Sequence, residues 1–281
     1  MIGRVTGYAK LNLALHVRRR RGDGYHDIET LFAFCEHGDE LSVAQAEHDS
    51  LAVTGEFSAG LSGGADNLVV RALGKLRELA GKGVIPPLAI TLDKRLPVAA
   101  GIGGGSADAG AIARLLSGLF LPEATPDELV AALAPLGADV GACVVSRIRR
   151  GSGTGAALMP VAVDDVAGLP VLLINPRIAL PTGPVFAGWD GVDRGALPEA
   201  SARTVALSGR NDLENPACAL VPAIATLLDW LSRQRGVMLA RMSGSGATCF
   251  ALFEDADDRN RAAHDAGVAF PGWWTMSSRL R

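Results

Sequence analysis

The sequence predicts an α+β protein built from two domains. Three observations indicate this class: strand-like alternation in the first third, a strand–glycine–helix succession near residue 100, and helices alternating with strands in the second half. Apolar residues recur every second position in a half-buried strand and about every 3.6 positions in an amphipathic helix. With 281 residues and 48% hydrophobic content, the chain can fill one large or two modest cores.

The first third of the chain is predicted to be a long hairpin followed by a helix. Residues 7–17 alternate in part, a turn is expected at residues 21–24, and alternation resumes over residues 28–34. The basic run at residues 18–21 lies at the hairpin end, where a solvated surface is favoured over contact with an anionic substrate. A helix beginning at Asn67 would bury Val69, Ala72, Leu73, Leu76 and Ala80.

Residues 88–119 predict a strand, a glycine turn and a helix. Apolar residues alternate over 88–92, and after the glycines they take helical spacing at Ile112, Leu115, Leu116 and Leu119. We expect Ser106 to cap this helix and Asp108 to lie in its first turn. Clustered glycines indicate left-handed backbone or close approach, and the N–H groups of a helix start suit an anion. A nucleotide phosphate tail is the candidate guest, and a flexible turn without ligand is the alternative.

Two common phosphate motifs are excluded at this turn. The glycine spacing of a Walker A motif occurs at Gly105 and Gly110, but Ala111 and Ile112 stand where lysine and serine or threonine are required. The dinucleotide fingerprint fails because its third glycine is absent in both possible registers. A third kind of glycine loop remains, one whose positive charge comes from elsewhere in the chain.

The remaining elements follow from capping and spacing. A capping box with proline starts a helix at Thr125 that is expected to end near Pro135, with Asp139 just beyond it. Glycine-rich residues 151–155 suggest a boundary between domains 1–155 and 156–281. After an irregular loop at 176–198, the sequence predicts an antiparallel sheet with two helices. The first helix passes through Leu220, Ile224, Leu227, Leu228 and Leu231 and is closed by Gly236. Strands follow at 237–241 and 248–253, then a helix at 257–266 and a strand at 273–277.

A second small-residue loop, Ser243–Ala247, joins two of these strands. It is predicted to be a tight hairpin, or alternatively to pack against the first glycine loop around a ligand.

Composition excludes several classes of function. With a net charge of −3, the chain lacks the positive electrostatic potential that nonspecific binding to nucleic acid or an anionic membrane requires. The four cysteines form no C-x-x-C pair and are expected to be reduced thiols. Neither a secretory leader nor a spanning segment is recognised, so a cytoplasmic location is expected; the sequence does not indicate an oligomeric state.

Three separated blocks carry a resemblance to a known family. They are AKLNLALHVRRRRGDGYHDIETLF at 9–32, LPVAAGIGGGSADAG at 96–110 and MSGSGATCFALF at 242–253, with GAD at 137–139 and NDLE at 211–214. In order and spacing they resemble the GHMP kinase superfamily, nearly end to end. The resemblance implies an N-terminal α/β domain with the phosphate loop, a ferredoxin-like C-terminal domain, and an active site in the cleft between them.

The resemblance also implies a donor site for ATP. The loop that would wrap the phosphates consists of Pro97, Val98, Ala99, Ala100, Gly101, Ile102, Gly103, Gly104, Gly105, Ser106 and Ala107. Asp139 matches the catalytic aspartate and Lys10 its lysine partner, while Asn67 and Lys94 would border the adenosine. Mg²⁺ is expected mainly on the ATP phosphates, and no residue is assigned to it.

For the acceptor, the resemblance implies a small molecule that carries cytidine diphosphate, as indicated by GDGYH at 22–26. Tyr25 and Phe186 would stack on cytosine, His26 would hydrogen-bond its edge, and Thr182 and Asn12 would complete the site. The implied reaction is phosphorylation of a hydroxyl in non-mevalonate isoprenoid precursor biosynthesis. The alternatives are another small-molecule kinase of this superfamily, acting on homoserine, mevalonate or a sugar, and a nucleotide-binding regulator without phosphotransfer.

The sequence departs from the superfamily pattern at several positions. Ala99 and Ala100 replace glycines, Ala107 replaces a frequent serine and Gly141 a proline. Residues 151–158 also lack a glutamate often found there. Backbone donors survive all of these changes, so phosphate binding through main-chain N–H groups is still expected.

Overall fold

A computed structural model describes residues 1–162 and 165–281 of the chain. Its contacts divide the chain into two compact units. The first unit contains residues 1–10, 37–98 and 103–147, and the second contains residues 11–36, 99–102 and 148–281. The long strands β1 (Gly3–Arg20) and β2 (His26–Gln45) each contribute residues to both units. The single boundary between residues 155 and 156 stays a prediction.

The first unit packs helices on a small sheet. β4 (Leu88–Asp93) pairs antiparallel with residues 40–45 of β2 and parallel with β3 (Ser50–Thr54). The helices are α1 (Leu68–Ala80), α2 (Gly104–Phe120), α3 (Pro126–Leu133) and α4 (Val140–Val145). The core contains apolar residues from the predicted faces, among them Val69, Leu73, Leu76, Leu88, Ile90, Leu92, Ile112 and Leu116.

Side-chain caps explain where α1 and α3 begin. Asn67 Oδ1 accepts a hydrogen bond from the Val69 N–H at 2.9 Å. At α3, Thr125 Oγ1 accepts from the Glu128 N–H at 3.3 Å, and Glu128 Oε2 accepts from the Thr125 N–H at 2.8 Å. Both predicted starts are confirmed, because each cap satisfies N–H groups that the helix itself leaves unpaired.

The start of α2 differs from the prediction. The cap is Gly103 in a left-handed conformation (φ 66°), without a side-chain hydrogen bond, so Ser106 lies inside the helix. Asp108 is consequently beyond the first turn and buried. The left-handed turn, which glycine adopts readily, starts the helix earlier than a serine cap would. Sequence patterns also miss α4, which has six residues and no side-chain cap.

The second unit contains part of the six-stranded sheet to which β2 belongs, and a separate four-stranded antiparallel sheet. Residues 28–32 of β2 pair with β5 (Arg149–Gly153), which pairs with β6 (Ala157–Met159). Gly151 allows close packing here, since an added Cβ would lie 2.6 Å from the Phe32 ring. The antiparallel sheet has the order β10-β7-β9-β8, with β7 at Pro170–Asn175, β8 at Val237–Met242, β9 at Cys249–Phe253 and β10 at Trp274–Arg279.

This strand order, with helices between β7 and β8 and between β9 and β10, confirms the ferredoxin-like prediction. The helices are α5 (Thr182–Ala187), α6 (Ala202–Ser208), α7 (Glu214–Leu220), α8 (Ala223–Ser232) and α9 (Ala256–Ala269). α5 falls inside the loop predicted to be irregular. None of the helices in the described ranges is both long and apolar enough to cross a membrane.

The prediction of one helix through residues 220–231 is wrong. Two helices meet there, because Val221 precedes Pro222 and takes an extended conformation (φ −134°, ψ 86°) that a residue before proline favours. The second helix, α8, ends at Ser232, and Gly236 instead forms a left-handed turn (φ 70°) before β8.

Candidate active site

The glycine loop combines left-handed backbone with a helix start. Ala99, Gly101 and Gly103 have φ values of 52°, 75° and 66°, and α2 follows with 17 residues. Left-handed angles explain the two glycines, whereas Ala99 adopts them against the preference of an L side chain. The first-turn N–H groups of α2 lack partners within the helix and lie at the positive end of its dipole. This end of α2 can therefore bind an anion.

Within the second unit, residues 99–102 pack against the small-residue loop 243–247. An added Cβ on Gly101 would lie 2.3 Å from the Ser243 carbonyl oxygen. Ser243 Oγ donates to the Gly101 carbonyl at 2.9 Å, and the Thr248 N–H donates to the Ala100 carbonyl at 3.2 Å. The second loop is thus both a connection between β8 and β9 and a packing partner of the first loop. Close approach requires glycine at position 101 as well as its backbone angle.

Lys10 and Asp139 meet inside the first unit. Lys10 Nζ donates to Asp139 Oδ2 at 3.0 Å; the lysine side chain is 4% exposed and the aspartate side chain 39%. An added Cβ on Gly103 would lie 3.1 Å from Lys10 Cε, so the lysine stem runs along the residue that caps α2. A positive charge and an accessible carboxylate therefore stand together at the anion-binding end of this helix.

A second lysine lies beside the same helix start. Lys94 Nζ donates to Asp108 Oδ2 at 2.9 Å and also to Asp39 Oδ2, and all three residues are buried. Asp39 Oδ1 accepts from the N–H groups of Arg95 and Leu96 at 2.7 and 2.9 Å. Asp39 thereby connects residues 95–96, which lead into the glycine loop, to Lys94, which in turn binds Asp108 in α2.

Burial controls the protonation of this cluster. Burial raises the pKa of Asp108 to about 8 against the opposing attraction of Lys94. Burial by itself lowers the pKa of Lys94, but the nearby carboxylates of Asp108 and Asp39 outweigh it and raise that pKa overall. Asp108 Oδ1 is buried without a hydrogen-bond partner among the described residues, which suits a protonated carboxyl better than an ion.

The two residues assigned to adenosine have structural partners. The Lys94 ammonium donates to the carboxyl groups of Asp39 and Asp108. Asn67 caps α1 and its Nδ2 donates to the Ser62 carbonyl at 2.8 Å. Leu68, the next residue, lies against α2, since an added Cβ on Gly105 would be 3.3 Å from Leu68 Cδ1. Their contact with adenosine stays a prediction.

The residues assigned to the acceptor belong to the second unit, where His26 and Phe186 are close. Their ring centroids are 4.9 Å apart with an angle of 37° between planes. Tyr25 is 62% exposed at the hairpin turn, as a residue that stacks on a ligand requires. Thr182 Oγ1 lies 3.1 Å from Ser245 Oγ. Burial, followed by the positive charge of Arg20, lowers the pKa of His26, so its imidazole is neutral at pH 7.

Asn12 lies beneath the second small-residue loop of the same unit. Its Nδ2 donates to Thr30 Oγ1 at 2.7 Å, and its backbone N–H donates to Ser243 Oγ at 3.2 Å. An added Cβ on Gly244 would be 3.2 Å from Asn12 Oδ1. Asn12 therefore holds the loop in place, and its predicted contact with the acceptor is untested.

The basic run at the hairpin end is neutralised by protein groups. Arg18 pairs with Glu29 at 2.9 Å, Arg19 with Asp27 at 2.5 Å and Arg21 with Asp23 at 2.8 Å. Arg20 Nη2 donates to the carbonyl oxygens of Ala187 and Trp189 at 3.1 and 2.6 Å. Because protein groups pair with these arginines, the basic run is explained as a solvated hairpin end, and no bound anion is needed.

Sequence reasoning missed Asp39 and Trp189. A periodicity signal for Asp39 was available, because it falls on the same strand face as Leu41 and Val43, which are buried. Trp189 stands in the loop predicted to be irregular and gave no comparable signal. Its ring lies 5.8 Å from that of His26.

The described residues include no group of three or more His, Cys, Asp or Glu side chains that could hold a metal ion. A cavity of about 520 Å³ lies within the second unit, lined in part by Trp189, Arg194, Arg210 and Asp212. Two of its arginines form ion pairs: Arg194 Nη2 binds Asp190, and Arg210 Nε lies 2.6 Å from Asp212 Oδ1.

Comparisons with known proteins identify the family of this chain. The model of the GHMP kinases N terminal domain matches residues 67–147, and that of the GHMP kinases C terminal matches residues 196–270. A protein of Sphingopyxis alaskensis named 4-diphosphocytidyl-2-C-methyl-D-erythritol kinase is 57% identical, covering 99% of this chain and 98% of its own. One of the same name from Rhizorhabdus wittichii is 55% identical, covering 98% and 93%.

The fold comparison leads to the same family. A crystal structure of 4-(cytidine 5'-diphospho)-2C-methyl-D-erythritol kinase superposes with a TM-score of 0.81 and 33% identity, and the match covers 99% of both chains. Sequence models, near full-length relatives and this structure therefore converge: the chain belongs to the GHMP kinase family.

Proposed function

We propose that this chain transfers the γ-phosphoryl group of ATP to the 2-hydroxyl of 4-diphosphocytidyl-2-C-methyl-D-erythritol, in non-mevalonate isoprenoid precursor biosynthesis. The observation that carries the proposal is the Lys10–Asp139 pair beside the N-terminus of α2. The names of the two bacterial relatives and of the crystal structure support the choice of substrate.

The nucleotide phosphates bind to the main-chain N–H groups of residues 97–107. Left-handed turns at Gly101 and Gly103 expose these groups, and the dipole of α2 adds favourable potential. Mg²⁺ accompanying ATP would be held mainly by the phosphate oxygens and would neutralise part of their charge, with no residue of this chain assigned to it.

Asp139 and Lys10 act on the reacting groups. Asp139 accepts the proton of the attacking hydroxyl, whose oxygen forms a bond to the γ-phosphorus while the bond to the ADP oxygen breaks. Lys10 stabilises the negative charge of the transferring group, and its burial among protein atoms strengthens that interaction. Since phosphoryl transfer depends mainly on positioning and charge, these two side chains and the loop supply the protein's part of the chemistry, beside the Mg²⁺ that would accompany ATP.

The cytidine part of the acceptor selects the substrate. Tyr25 and Phe186 stack on cytosine, and neutral His26 forms a hydrogen bond with the edge of the base. Thr182 and Asn12 hold the remainder of the acceptor. The proposed location is the cytoplasm, where the thiols of Cys35, Cys143, Cys218 and Cys249 would stay reduced.

A coupled ADP-release assay with Mg-ATP tests the proposal against several acceptors. ADP should form with 4-diphosphocytidyl-2-C-methyl-D-erythritol and not with homoserine, mevalonate or a sugar, and ³¹P NMR should identify the 2-phosphate. CDP should compete with the acceptor. Turnover of homoserine or mevalonate without inhibition by CDP would support the rival kinase, and ATP binding without turnover of any acceptor would support a regulator.

A further inference from the structure

The hydroxyl group of Thr30 joins two groups of β1 within the second unit. Thr30 is fully buried, with 0% exposure. Its Oγ1 donates to the Ala14 carbonyl oxygen at 2.7 Å, and the same oxygen lies 2.7 Å from Asn12 Nδ2. A hydroxyl has one proton to donate and a carbonyl oxygen can only accept, so the proton of Thr30 is committed to Ala14. The oxygen of Thr30 is therefore an acceptor for Asn12.

This contact fixes the orientation of the Asn12 amide. The two ends of an asparagine side chain have nearly the same shape, and their hydrogen-bond partners decide which end is the NH2 group. Beside a Thr30 oxygen that can only accept, the NH2 group is satisfied, whereas a carbonyl oxygen would bring two acceptors into contact. Thr30 thus holds the NH2 group on its own side and the carbonyl oxygen on the opposite side.

Other contacts hold the rest of Asn12 in place. Asn12 is 2% exposed, and its backbone N–H donates to Ser243 Oγ at 3.2 Å. An added Cβ on Gly244 would lie 3.2 Å from Asn12 Oδ1, so this loop residue packs closely against the carbonyl oxygen. The backbone is thus fixed by Ser243, the NH2 group by Thr30, and the space around the oxygen by Gly244.

We propose that Thr30 is a positioning residue that acts through Asn12 on Lys10, an inference that rests on the proposed function. Residues 10 and 12 alternate along β1, so their side chains project from the same face of this strand. The NH2 group of Asn12 is directed to the side of Ala14, and the carbonyl oxygen is therefore directed along the strand to the side of Lys10. The negative end of the amide dipole is thereby directed toward the lysine that stabilises the transferring phosphoryl group.

The sign of this dipole matters because Lys10 is buried. Its side chain is 4% exposed, and interactions between charges and dipoles are strong where water is excluded. A carbonyl oxygen on this face stabilises the ammonium, whereas an NH2 group on the same side would repel it. Thr30 thus contributes to catalysis without touching ATP or the acceptor.

The orientation of the amide can be measured in the wild-type protein without substrate. In a ¹⁵N-edited NOE spectrum, the NH2 signals of Asn12 are assigned by their loss in Asn12→Ala. We expect strong NOEs from these protons to the side-chain protons of Thr30, because Nδ2 and Oγ1 are 2.7 Å apart. A reversed amide would instead give NOEs to the α-protons of Gly244, and that pattern would overturn the proposal.

Thr30→Val keeps the shape of the side chain and removes the hydroxyl. We expect kcat to fall about tenfold, as for the loss of one interaction with a charged group, while both KM values change less than about threefold. Thr30→Ser restores the hydroxyl and should recover at least about half of the wild-type kcat. Thr54→Val is the matched control, since the Thr54 hydroxyl also donates to a main-chain carbonyl, that of Leu92 at 3.4 Å, and kcat should stay unchanged.

The Asn12→Ala background separates positioning from a general packing role. If Thr30 acts through Asn12, Thr30→Val should lower kcat less than about twofold once the amide is absent. The same loss of kcat in both backgrounds would show that Thr30 acts by another route, and the proposal would be wrong.

The proposed function and the role of Thr30 fail in different ways. If the chain phosphorylates the expected acceptor but Thr30→Val keeps the wild-type kcat, the role of Thr30 is wrong and the function stands. If the NOEs place the NH2 group at Thr30 and Thr30→Val lowers kcat with a different acceptor, the proposed function is wrong and the role of Thr30 stands. Should Thr30→Val fold poorly, the wild-type NOEs and the kcat of Thr30→Ser still test the proposal.

Discussion

Two lysine–aspartate clusters flank the start of the same helix and differ in one respect. Lys10 lies along Gly103 and pairs with Asp139, whose side chain is 39% exposed. Lys94 lies beside Gly104, where an added Cβ would be 3.3 Å from its Nζ, and pairs with Asp39 and Asp108, whose side chains are 0% and 4% exposed. Both lysines are buried, so the exposure of the carboxylate distinguishes the clusters.

The difference in carboxylate exposure indicates different roles for the two clusters. An accessible carboxylate next to a buried ammonium can exchange a proton with a bound hydroxyl, as a reaction requires. Enclosed carboxylates cannot reach a substrate, but they join the end of β4, the loop entry and α2 through Lys94 and Asp39. Under the proposed function, the same residue types therefore serve chemistry in one cluster and hold the glycine loop in place in the other.

Asp139→Asn should have the largest effect and should act on catalysis. We expect kcat to fall by about 10²–10⁴-fold because amide oxygen cannot take the hydroxyl proton, while the KM of ATP and the melting temperature change little. Steady-state kinetics and thermal unfolding measure both. Asp127→Asn, an exposed aspartate in the first turn of α3, is the control and should retain full activity. An unchanged kcat in Asp139→Asn would remove this residue from the mechanism.

Lys94→Met should mainly reduce stability, whereas Asp139→Asn mainly reduces catalysis. Removing the ammonium leaves two carboxyl groups buried without their partner, which should lower the free energy of unfolding by about 3–5 kcal/mol. Denaturant titration measures the change, and the kcat of the fraction that stays folded should fall much less than in Asp139→Asn. Lys75→Met is the matched control, since Lys75 pairs with Glu78 on the surface and should cost less than about 1 kcal/mol. Equal stabilities of the two variants would show that Lys94 does not hold the end of β4, the loop entry and α2 together.

Asp108→Asn should have the smallest effect, visible as a change in pH dependence. The ordinary pKa of 3.8 rises to about 8 in the fold. Between these values the folded chain binds a proton that the unfolded chain releases, so this group lowers the free energy of unfolding as pH rises. Asparagine does not titrate and should remove that decline.

Denaturant unfolding at pH 5 and pH 8 provides the measurement. The stability of Asp108→Asn relative to the wild type should be at least about 1.4 kcal/mol more favourable at pH 8 than at pH 5, the equivalent of one pKa unit. Asp66→Asn, at an exposed position, should show the wild-type pH dependence. The same difference at both pH values would mean that Asp108 is ionised throughout this range.

Local patterns were sufficient for much of the fold and for part of the site. The caps at Asn67 and Thr125, the strand predicted at 88–92 and three of the four strands of the ferredoxin-like sheet, β8, β9 and β10, follow from signals within a few residues of each element, whereas β7 was not predicted. Local patterns failed at α2, where a left-handed Gly103 overrides the serine signal, and at Pro222, which divides one apolar pattern between two helices. The family motifs pointed to Lys10 and Asp139, 129 residues apart, but spacing alone could not pair them.

By itself the sequence determined most of the strands and helices, the places where glycine permits left-handed turns, and the resemblance of the motifs to those of a GHMP kinase, because these properties depend on neighbouring residues. Only the tertiary structure decided that Asp139 is accessible while Asp39 and Asp108 are enclosed, and that Trp189 lies against His26. Burial and contact between distant residues set the local dielectric and the hydrogen-bond partners. Those two quantities separate a reactive carboxylate from a structural one.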